Sequence, residues 1–250
     1  MGINGVPAAY AGDNYRQAIL DYVQLLHDHG MYAILELHLN APGAQLALGQ
    51  QVMADADHTP DFWFSVAQTF AADPAVIFDL YNEPHDISWL CWRDGCRTSA
   101  GWLTAGMQQL VSVVRDAGAH QPIMLGGLQW SSNLTNWYTW RPTDPDNALI
   151  ASFHLYNFGG CNSQACWDSV IAPLSAQVPV VTGEIGQNDC AHDFIDPYMD
   201  WADARDISYL GWTWNTWNCS TGPSLISDYD GTPTPFGQGI KDRFALLAGA

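Results

Sequence analysis

Short apolar segments alternate with amphipathic ones along this 250-residue chain, and this alternation limits its possible folds more than any other feature. Six segments are apolar nearly throughout, as strands are when both faces of a sheet are buried. Strands that alternate with helices predict βαβ units and a parallel sheet. The predicted strands are residues 31–38, 75–84, 121–127, 148–156, 178–186 and 207–214. The predicted helices are residues 13–29, 59–74, 100–118, 164–177, 193–205 and 235–248.

No interior stretch rich in Pro, Ser or Gly and no run of charges divides the chain. We therefore predict a single domain over residues 1–250, for which 48% hydrophobic residues supply a core. No apolar run approaches the roughly 18 residues of a membrane-spanning helix, so we expect no membrane partner. The first residues lack the charged start and apolar run of a signal peptide, so we expect that a secreted protein's leader is absent from this chain.

The charge balance argues against polyanionic partners. Eight basic residues against 26 acidic ones give a net charge of −18, which excludes nucleic acid as an expected partner and favours a neutral substrate. The chain also contains 12 Trp, most of which we expect in the core. The remainder would offer flat apolar surfaces to an uncharged ligand, and the apolar faces of sugar rings fit such surfaces.

The six cysteines favour three disulfides over a zinc site. Two pairs have the same close spacing and could each close a small loop, which leaves two cysteines to pair with each other. Spacing leaves the connectivity open, but the CxxC spacing typical of zinc sites is absent. Disulfides persist in oxidising compartments, so we expect an extracellular protein. The favoured pairs are Cys91 with Cys96, Cys161 with Cys166, and Cys190 with Cys219.

Polar and aromatic residues gather where the predicted strands end. In a (β/α)₈ barrel the carboxyl ends of the strands form the catalytic face. Neither GxGxxG nor GxxxxGK[ST] follows a strand, which disfavours a nucleotide-binding sheet. HExxH and GxSxG are also absent, so we expect no catalytic metal and no serine esterase. The residues at strand ends are His38, Asn82, Glu83, His154, Tyr156, Glu184 and Trp212.

Two of these residues are carboxylates in comparable positions. Glu83 lies in YNEPH after one apolar strand, and Glu184 lies in TGEIG at the end of another. A single Glu at a strand end is usually a surface residue, but two at equivalent ends favour a paired function. Hydrolysis of a glycosidic bond requires such a pair, one to protonate the leaving oxygen and one to attack the anomeric carbon.

The twofold alternation of strand side chains predicts which neighbours share a face. His154 and Tyr156 should point the same way, as should Trp212 and Trp214, and Glu36 and His38. In a barrel, Tyr156 could donate its hydroxyl to the nucleophile, and Trp212 could stack under a sugar ring. Asn82 could bind the sugar 2-OH. Simple core packing remains the alternative for His154 and for both tryptophans.

These segments together resemble glycoside hydrolase family 5, the cellulase family. IFDLYNEPH and VVTGEIGQ are similar to its acid/base and nucleophile motifs, and ILELH, SFHLY and YLGWTW match its other active-site positions in order. The resemblance implies a (β/α)₈ TIM barrel without a cofactor that hydrolyses β-1,4-glucan with retention. It assigns Glu83 as acid/base and Glu184 as nucleophile. It also implies substrate contacts from His38, Asn82, His154, Tyr156, Trp212 and Trp214.

The chain departs from the family in its first part. Six strands are recognisable where the family's barrel has eight, and the family's first two βα units have no counterpart here. An Arg that the family carries near the nucleophile is missing with them, and Arg16 lies in a predicted helix instead. We therefore expect an incomplete barrel that closes in a smaller form, self-associates through unpaired edges, or folds poorly alone.

Two alternatives to a β-1,4-glucanase remain open from the sequence. One is a hydrolase for mannan or xylan, since specificity depends on contacts to the sugar 2-OH and on the loops near Trp130, Trp137 and Trp140. The other is a degenerate barrel that binds glycans without cleaving them, which the missing strands and Arg suggest. In each case the expected partner is a polysaccharide.

Overall fold

The computed structural model describes residues 13–249, which divide into two compact units. Among these residues, the first unit comprises 13–130 and 136–150, and the second comprises 131–135 and 151–249. Each unit contains parallel strands connected by helices. Within residues 13–249, no helix combines the length and apolarity that a membrane span requires.

The first unit contains three parallel strands in sequence order, with β1 beside β2 and β2 beside β3. Ala33 lies opposite Val76, and Phe78 lies opposite Ile123. The strands are β1 Ala33–Glu36, β2 Val76–Asp79 and β3 Ile123–Gly126. The helices are α1 Asp13–Asp28, α2 Thr59–Phe70, α3 Trp89–Asp94, α4 Met107–Asp116 and α5 Trp137–Trp140.

Three fully buried tryptophans fix the helices of this unit to its strands. Trp63 of α2 donates its indole N–H to the Leu80 carbonyl at 2.9 Å, just after β2. Trp92 and Trp137, from α3 and α5, donate in the same way to the carbonyls of Gly126 and Leu125 in β3. Burial of a large ring is favourable only when its polar N–H finds an acceptor, and these three contacts satisfy that condition. The expectation that tryptophan contributes to the core is confirmed for these three.

The second unit also has three strands, with β4 parallel to β5 and β5 parallel to β6. Its strands are β4 Leu149–Tyr156, whose first two residues belong to the first unit, β5 Val180–Gly186 and β6 Ser208–Gly211. A helical segment follows β4 and consists of α6 Gln164–Cys166, a π-helical turn Trp167–Ile171 and α7 Ala172–Ser175. The remaining helices are α8 Ile195–Asp203 and α9 Pro235–Leu247.

All six predicted strands are present, although each is shorter than predicted. The predicted strand 207–214 ends at Gly211, so Trp212 and Trp214 lie beyond it. The predicted helix 100–118 begins only at Met107, because the residues before it form antiparallel bridges instead, Arg97 with Leu103 and Thr104 with Asp55. The short helices α3 and α5 were not predicted, since each is stabilised by the burial of its tryptophan more than by a helical pattern of its own.

The cysteine pairing is confirmed. All six cysteines form disulfides, Cys91 with Cys96, Cys161 with Cys166, and Cys190 with Cys219. The first two disulfides each close a short loop, because their cysteines are five positions apart in the sequence. The third joins residues 29 positions apart within the second unit.

Candidate active site

Glu184 lies on a β-bulge near the end of β5. His154 of β4 pairs with Glu184, whereas the residue before it, Phe153, pairs with Thr182, so Gly183 is an extra residue in β5. A bulge of this kind bends a strand and re-aims the next side chain. The Glu184 side chain is buried, with 9% of its surface exposed.

The carboxylate of Glu184 is held by two residues of β4. The Tyr156 hydroxyl donates a hydrogen bond to Glu184 Oε2. His154 Nδ1 lies 3.4 Å from the same oxygen, and the His154 side chain is buried. The two residues therefore reach one carboxylate oxygen from the same face of β4, as the strand alternation predicts. A hydroxyl that donates to a carboxylate stabilises its ionised form, which is the form a nucleophile requires.

The glycines on either side of Glu184 give Tyr156 and His154 their space. A Cβ on Gly183 would lie 2.7 Å from Ser152 Oγ and 3.2 Å from His154 Nε2. A Cβ on Gly186 would lie 2.7 Å from Tyr156 Cε1. The sequence TGEIG is thus explained by the close packing of the residues that position Glu184.

Trp212 follows β6 directly and lies beside the strand of Glu184. Its backbone N–H donates to the Ile185 carbonyl at 2.9 Å, one residue after Glu184. Its ring meets the ring of Trp217 edge to face, with 6.4 Å between centroids. Trp214 is 65% exposed, and the nearest atoms of its ring lie 3.9 Å from the Cβ position of Gly231. The aromatic neighbour that the sequence reasoning missed is therefore Trp217, five residues after Trp212 and two before Cys219.

In the first unit, Glu83 follows β2 in a segment that is anchored by Gln50. Gln50 Nε2 donates to the Glu83 carbonyl, and Gln50 Oε1 accepts from Asn82 Nδ2, both at 3.3 Å. The Asn82 backbone N–H donates to the Leu37 carbonyl just after β1, and Asn82 is buried.

Tyr81, the residue before Asn82, donates its hydroxyl to the Gln51 carbonyl at 2.7 Å. Burial raises the pKa of Tyr81, so it remains a neutral donor.

Two further features of the first unit lie beside this segment. The His85 ring stacks on the Trp130 ring at 3.8 Å, and the Trp130 backbone N–H donates to the Pro84 carbonyl. At the end of β1, His38 Nδ1 lies 3.0 Å from Glu36 Oε2. The contact is consistent with the strand alternation, which predicts that Glu36 and His38 share a face. The chain has only three Glu. All three lie at or just beyond the carboxyl end of a strand: Glu36, Glu83 and Glu184.

Arg16 does not reach a strand end. It lies on α1 and donates to the Thr69 hydroxyl of α2. This contact agrees with the expectation that Arg16 does not replace the Arg carried by the family.

The family assignment rests on a direct match. The family model "Cellulase (glycosyl hydrolase family 5)" matches residues 2–218. The chain belongs to this family. The match runs through both units and includes Glu83, Glu184 and Trp212.

Relatives of known activity support the assignment. The chain is 24% identical over 217 residues to endoglucanase MaCel5A of Microbulbifer sp., covering 76% of this chain and 37% of that protein. It is 28% identical over 246 residues to endoglucanase 1 of Robillarda sp., covering 83% and 60%. It is also 20% identical over 202 residues to a mannan endo-1,4-beta-mannosidase of Salipaludibacillus agaradhaerens, covering 78% and 60%. The chain therefore spans less than two thirds of the length of these relatives.

Solved structures of this family show the fold. Beta-glucanase SdGluc5_26A of Saccharophagus degradans, in complex with cellotetraose, matches with a TM-score of 0.76 at 19% identity, covering 97% of this chain and 75% of that chain. The endo-beta-1,4-glucanase Xac0030 of Xanthomonas axonopodis pv. citri matches with a TM-score of 0.67 at 19% identity, covering 97% and 81%. The predicted fold class, a (β/α)₈ type with six recognisable parallel strands, is confirmed.

Proposed function

We propose that this family 5 chain is the catalytic part of a retaining endo-β-1,4-glucanase, with Glu184 as nucleophile and Glu83 as acid/base. The observation that carries the proposal is the setting of Glu184, a buried carboxylate on a strand bulge with its Oε2 bonded by Tyr156. A carboxylate without a function is rarely buried and oriented in this way, since burial of a charge is costly unless its partners are fixed. The family match runs through both units, which supports a single catalytic domain.

The reaction is a double displacement. In the first step a Glu184 oxygen forms a bond to the anomeric carbon, and the bond from that carbon to the glycosidic oxygen breaks as Glu83 gives its proton to that oxygen. In the second step Glu83 takes a proton from water, and the water oxygen displaces the Glu184 carboxylate from the same carbon. The product keeps its β configuration, and both glutamates return to their starting states.

The remaining predicted residues have roles in binding in this proposal. Asn82 binds the sugar 2-OH, and Trp212 stacks under a sugar ring. His154 and Tyr156 position the nucleophile, and His38, fixed by Glu36, contributes a further hydrogen bond. Trp214, which is largely exposed, binds a part of the glucan that lies further from the cleaved bond.

The substrate class follows from chemistry and from the relatives. A chain with a net charge of −18 suits a neutral polymer, and endoglucanases are prominent among its relatives. We propose β-1,4-glucan as the substrate and an extracellular location, which three disulfides support. The mannosidase relative makes β-mannan the second candidate. Initial rates on cellulose-derived, mannan and xylan substrates distinguish these possibilities.

The test of the catalytic pair is hydrolysis of soluble carboxymethyl cellulose. Glu83→Gln and Glu184→Gln should each lose activity by about a thousandfold or more, because each removes a group that takes part in bond breaking. Asp116→Asn, at an exposed position of α4, makes the same change of charge and should leave activity unchanged. A fluorinated glycoside that labels a residue other than Glu184 would contradict the assignment. Binding of cello-oligosaccharides without any turnover would favour a glycan-binding function instead.

A further inference from the structure

We infer that Trp217 forms, with Trp212, an extended aromatic subsite for a second sugar ring of a neutral glycan, and that the Cys190–Cys219 disulfide holds it in place. The inference rests on the proposed function, because it extends the sugar-binding surface assigned there to Trp212. All of its residues lie in the second unit.

The aromatic surface begins beside Glu184 and continues onto a loop. The Trp212 N–H bonds to the carbonyl of Ile185, the residue that follows Glu184 in β5. The Trp217 ring packs edge to face on the Trp212 ring, at an interplanar angle of 62°. Trp217 remains 46% exposed. A large aromatic ring that is both packed and half exposed has a face left for a ligand.

The loop that carries Trp217 is closed at its base and braced within. The Leu225 N–H donates to the Thr213 carbonyl at 2.9 Å, which closes the loop over residues 213–225. The Ser224 hydroxyl donates to the Trp217 carbonyl at 2.9 Å. The Trp217 ring lies so close to Gly222 that a Cβ there would be 3.3 Å from Trp217 Cε3. These contacts hold the backbone at Trp217 and place its ring against Gly222.

A disulfide ties the loop to the segment that follows the strand of Glu184. Cys219 lies two residues after Trp217 and is bonded to Cys190, four residues after the end of β5. Cys190 is buried, and its carbonyl accepts from the Phe236 N–H at the start of α9 at 2.7 Å. The anchor is therefore rigid. A binding residue that is already fixed loses little conformational entropy when its ligand arrives.

The composition of the loop points to the class of ligand. Residues 212–227 contain no charged side chain, although the chain carries 26 acidic residues. The stretch consists of Trp, Asn, Ser and Thr with a few small or apolar residues. Such a surface supplies apolar faces and neutral hydrogen-bonding groups, which match a pyranose ring and its hydroxyls.

The test compares long and short substrates. Trp217→Ala should raise KM for cellohexaose about tenfold and leave kcat within about twofold, since stacking is lost in ground state and transition state alike. A short aryl cellobioside, which spans fewer subsites, should be affected less. Trp217→Tyr should restore most of the affinity. The matched control is Phe244→Ala, which removes a half-exposed ring stacked on Tyr209 of β6 and should leave KM unchanged.

The disulfide is tested separately. The double substitution Cys190→Ser with Cys219→Ser should raise KM for cellohexaose in the same direction, by less than Trp217→Ala does. Trp217→Ala in that background should then cost less than it does in the intact chain, because the ring is already poorly fixed. Equal effects in both backgrounds would overturn the role of the disulfide.

The outcomes separate this inference from the proposed function. An unchanged KM for cellohexaose in Trp217→Ala, with hydrolysis intact, overturns the subsite alone. Equal losses on long and short substrates together with a lower melting temperature identify Trp217 as a packing residue, which also overturns it. If the chain binds cellohexaose in calorimetry without hydrolysing it, the glucanase proposal fails, and the Kd of Trp217→Ala then tests the subsite directly. Absence of any binding overturns both.

Discussion

At the scale of single residues, glutamate is used sparingly in this chain. Only three of the 26 acidic residues are Glu, and all three lie near the carboxyl ends of strands, whereas Asp supplies the rest of the negative charge. Glu184 shows how such a residue is positioned. Its environment combines two nearby glycines, one of which is the extra residue of the bulge, with a tyrosine that donates to its carboxylate.

Removal of the tyrosine hydroxyl tests this positioning. Tyr156→Phe should lower kcat/KM by about 10- to 100-fold, since hydrogen bonds to charged groups contribute about 1.5–3 kcal/mol. The ring should stay in place, because it stacks on Phe158 at 5.1 Å. A kcat/KM equal to that of the unaltered chain would exclude this role.

The flanking glycine offers an independent test. Gly186→Ala places a methyl group 2.7 Å from Tyr156 Cε1 and 2.9 Å from Pro223 Cγ, so the tyrosine ring has to move. We expect kcat to fall by at least about tenfold and the chain to lose about 1–3 kcal/mol of stability, the range for overpacking. Gly49→Ala is the control, since nothing lies within 4 Å of its Cβ position. Activity equal to that of Gly49→Ala would show that Tyr156 does not need its observed position.

At the scale of elements, a histidine joins the end of α1 to the segment that precedes β2. His27 Nδ1 lies 2.9 Å from the Met31 carbonyl, and His27 Nε2 lies 3.0 Å from Asp73 Oδ2. Both ring nitrogens face acceptors, so the protonated ring fits this position. The bond to the Met31 carbonyl and then the bond to Asp73 raise the pKa of His27 above its ordinary value of 6.5.

This shift predicts how stability depends on pH. Because the folded chain holds the proton more tightly than the unfolded chain, the stabilisation is complete below the ordinary histidine pKa and is lost as pH rises through the raised value. The melting temperature should therefore fall more between about pH 5 and about pH 9 in the unaltered chain than in His27→Gln. His29→Gln, at the exposed neighbouring histidine, should keep the full fall. The same fall in all three chains would refute the attachment.

At the scale of the whole molecule, the first unit presents apolar side chains to solvent. Tyr22 and Leu25 of α1 and Tyr32 just before β1 are each about half exposed or more. Among the described strands of this unit, β1 is hydrogen-bonded on one side only, to β2. Unpaired strand edges and exposed apolar groups favour association between chains. The self-association expected from the sequence remains a prediction with this physical basis.

Sedimentation at several concentrations tests that prediction. We expect reversible oligomers whose population rises with protein concentration. We also expect it to rise with salt, because salt screens the repulsion between chains of net charge −18. Leu25→Lys places a charge on the exposed apolar surface and should shift the equilibrium towards monomer. A matched Gln24→Lys changes the charge at an exposed polar neighbour and should have a smaller effect. A single monomeric species under all conditions would contradict the prediction.

Much of this molecule could be predicted from patterns that are local in the chain. The six strands, the disulfide pairs and the shared face of His154 and Tyr156 follow from apolar runs, close spacing and strand alternation. The same rule does not apply to Trp212 and Trp214, which were expected to point the same way. The strand β6 ends at Gly211, and alternation holds only within a strand. The late start of α4 depends on the bridges of residues 97–104, which no local pattern reveals.

The order of the elements, the family resemblance and the two glutamate motifs can be read from the sequence alone, because they depend on residues adjacent in the chain. How the carboxylate of Glu184 is held, and which aromatic ring meets Trp212, depends on the folded structure. Tyr156 lies 28 positions before Glu184, and Cys219, two residues after Trp217, is bonded to a cysteine 29 positions away. Such contacts arise only when distant segments pack together, since the side chains involved have many other rotamers and neighbours available until the backbone around them is fixed.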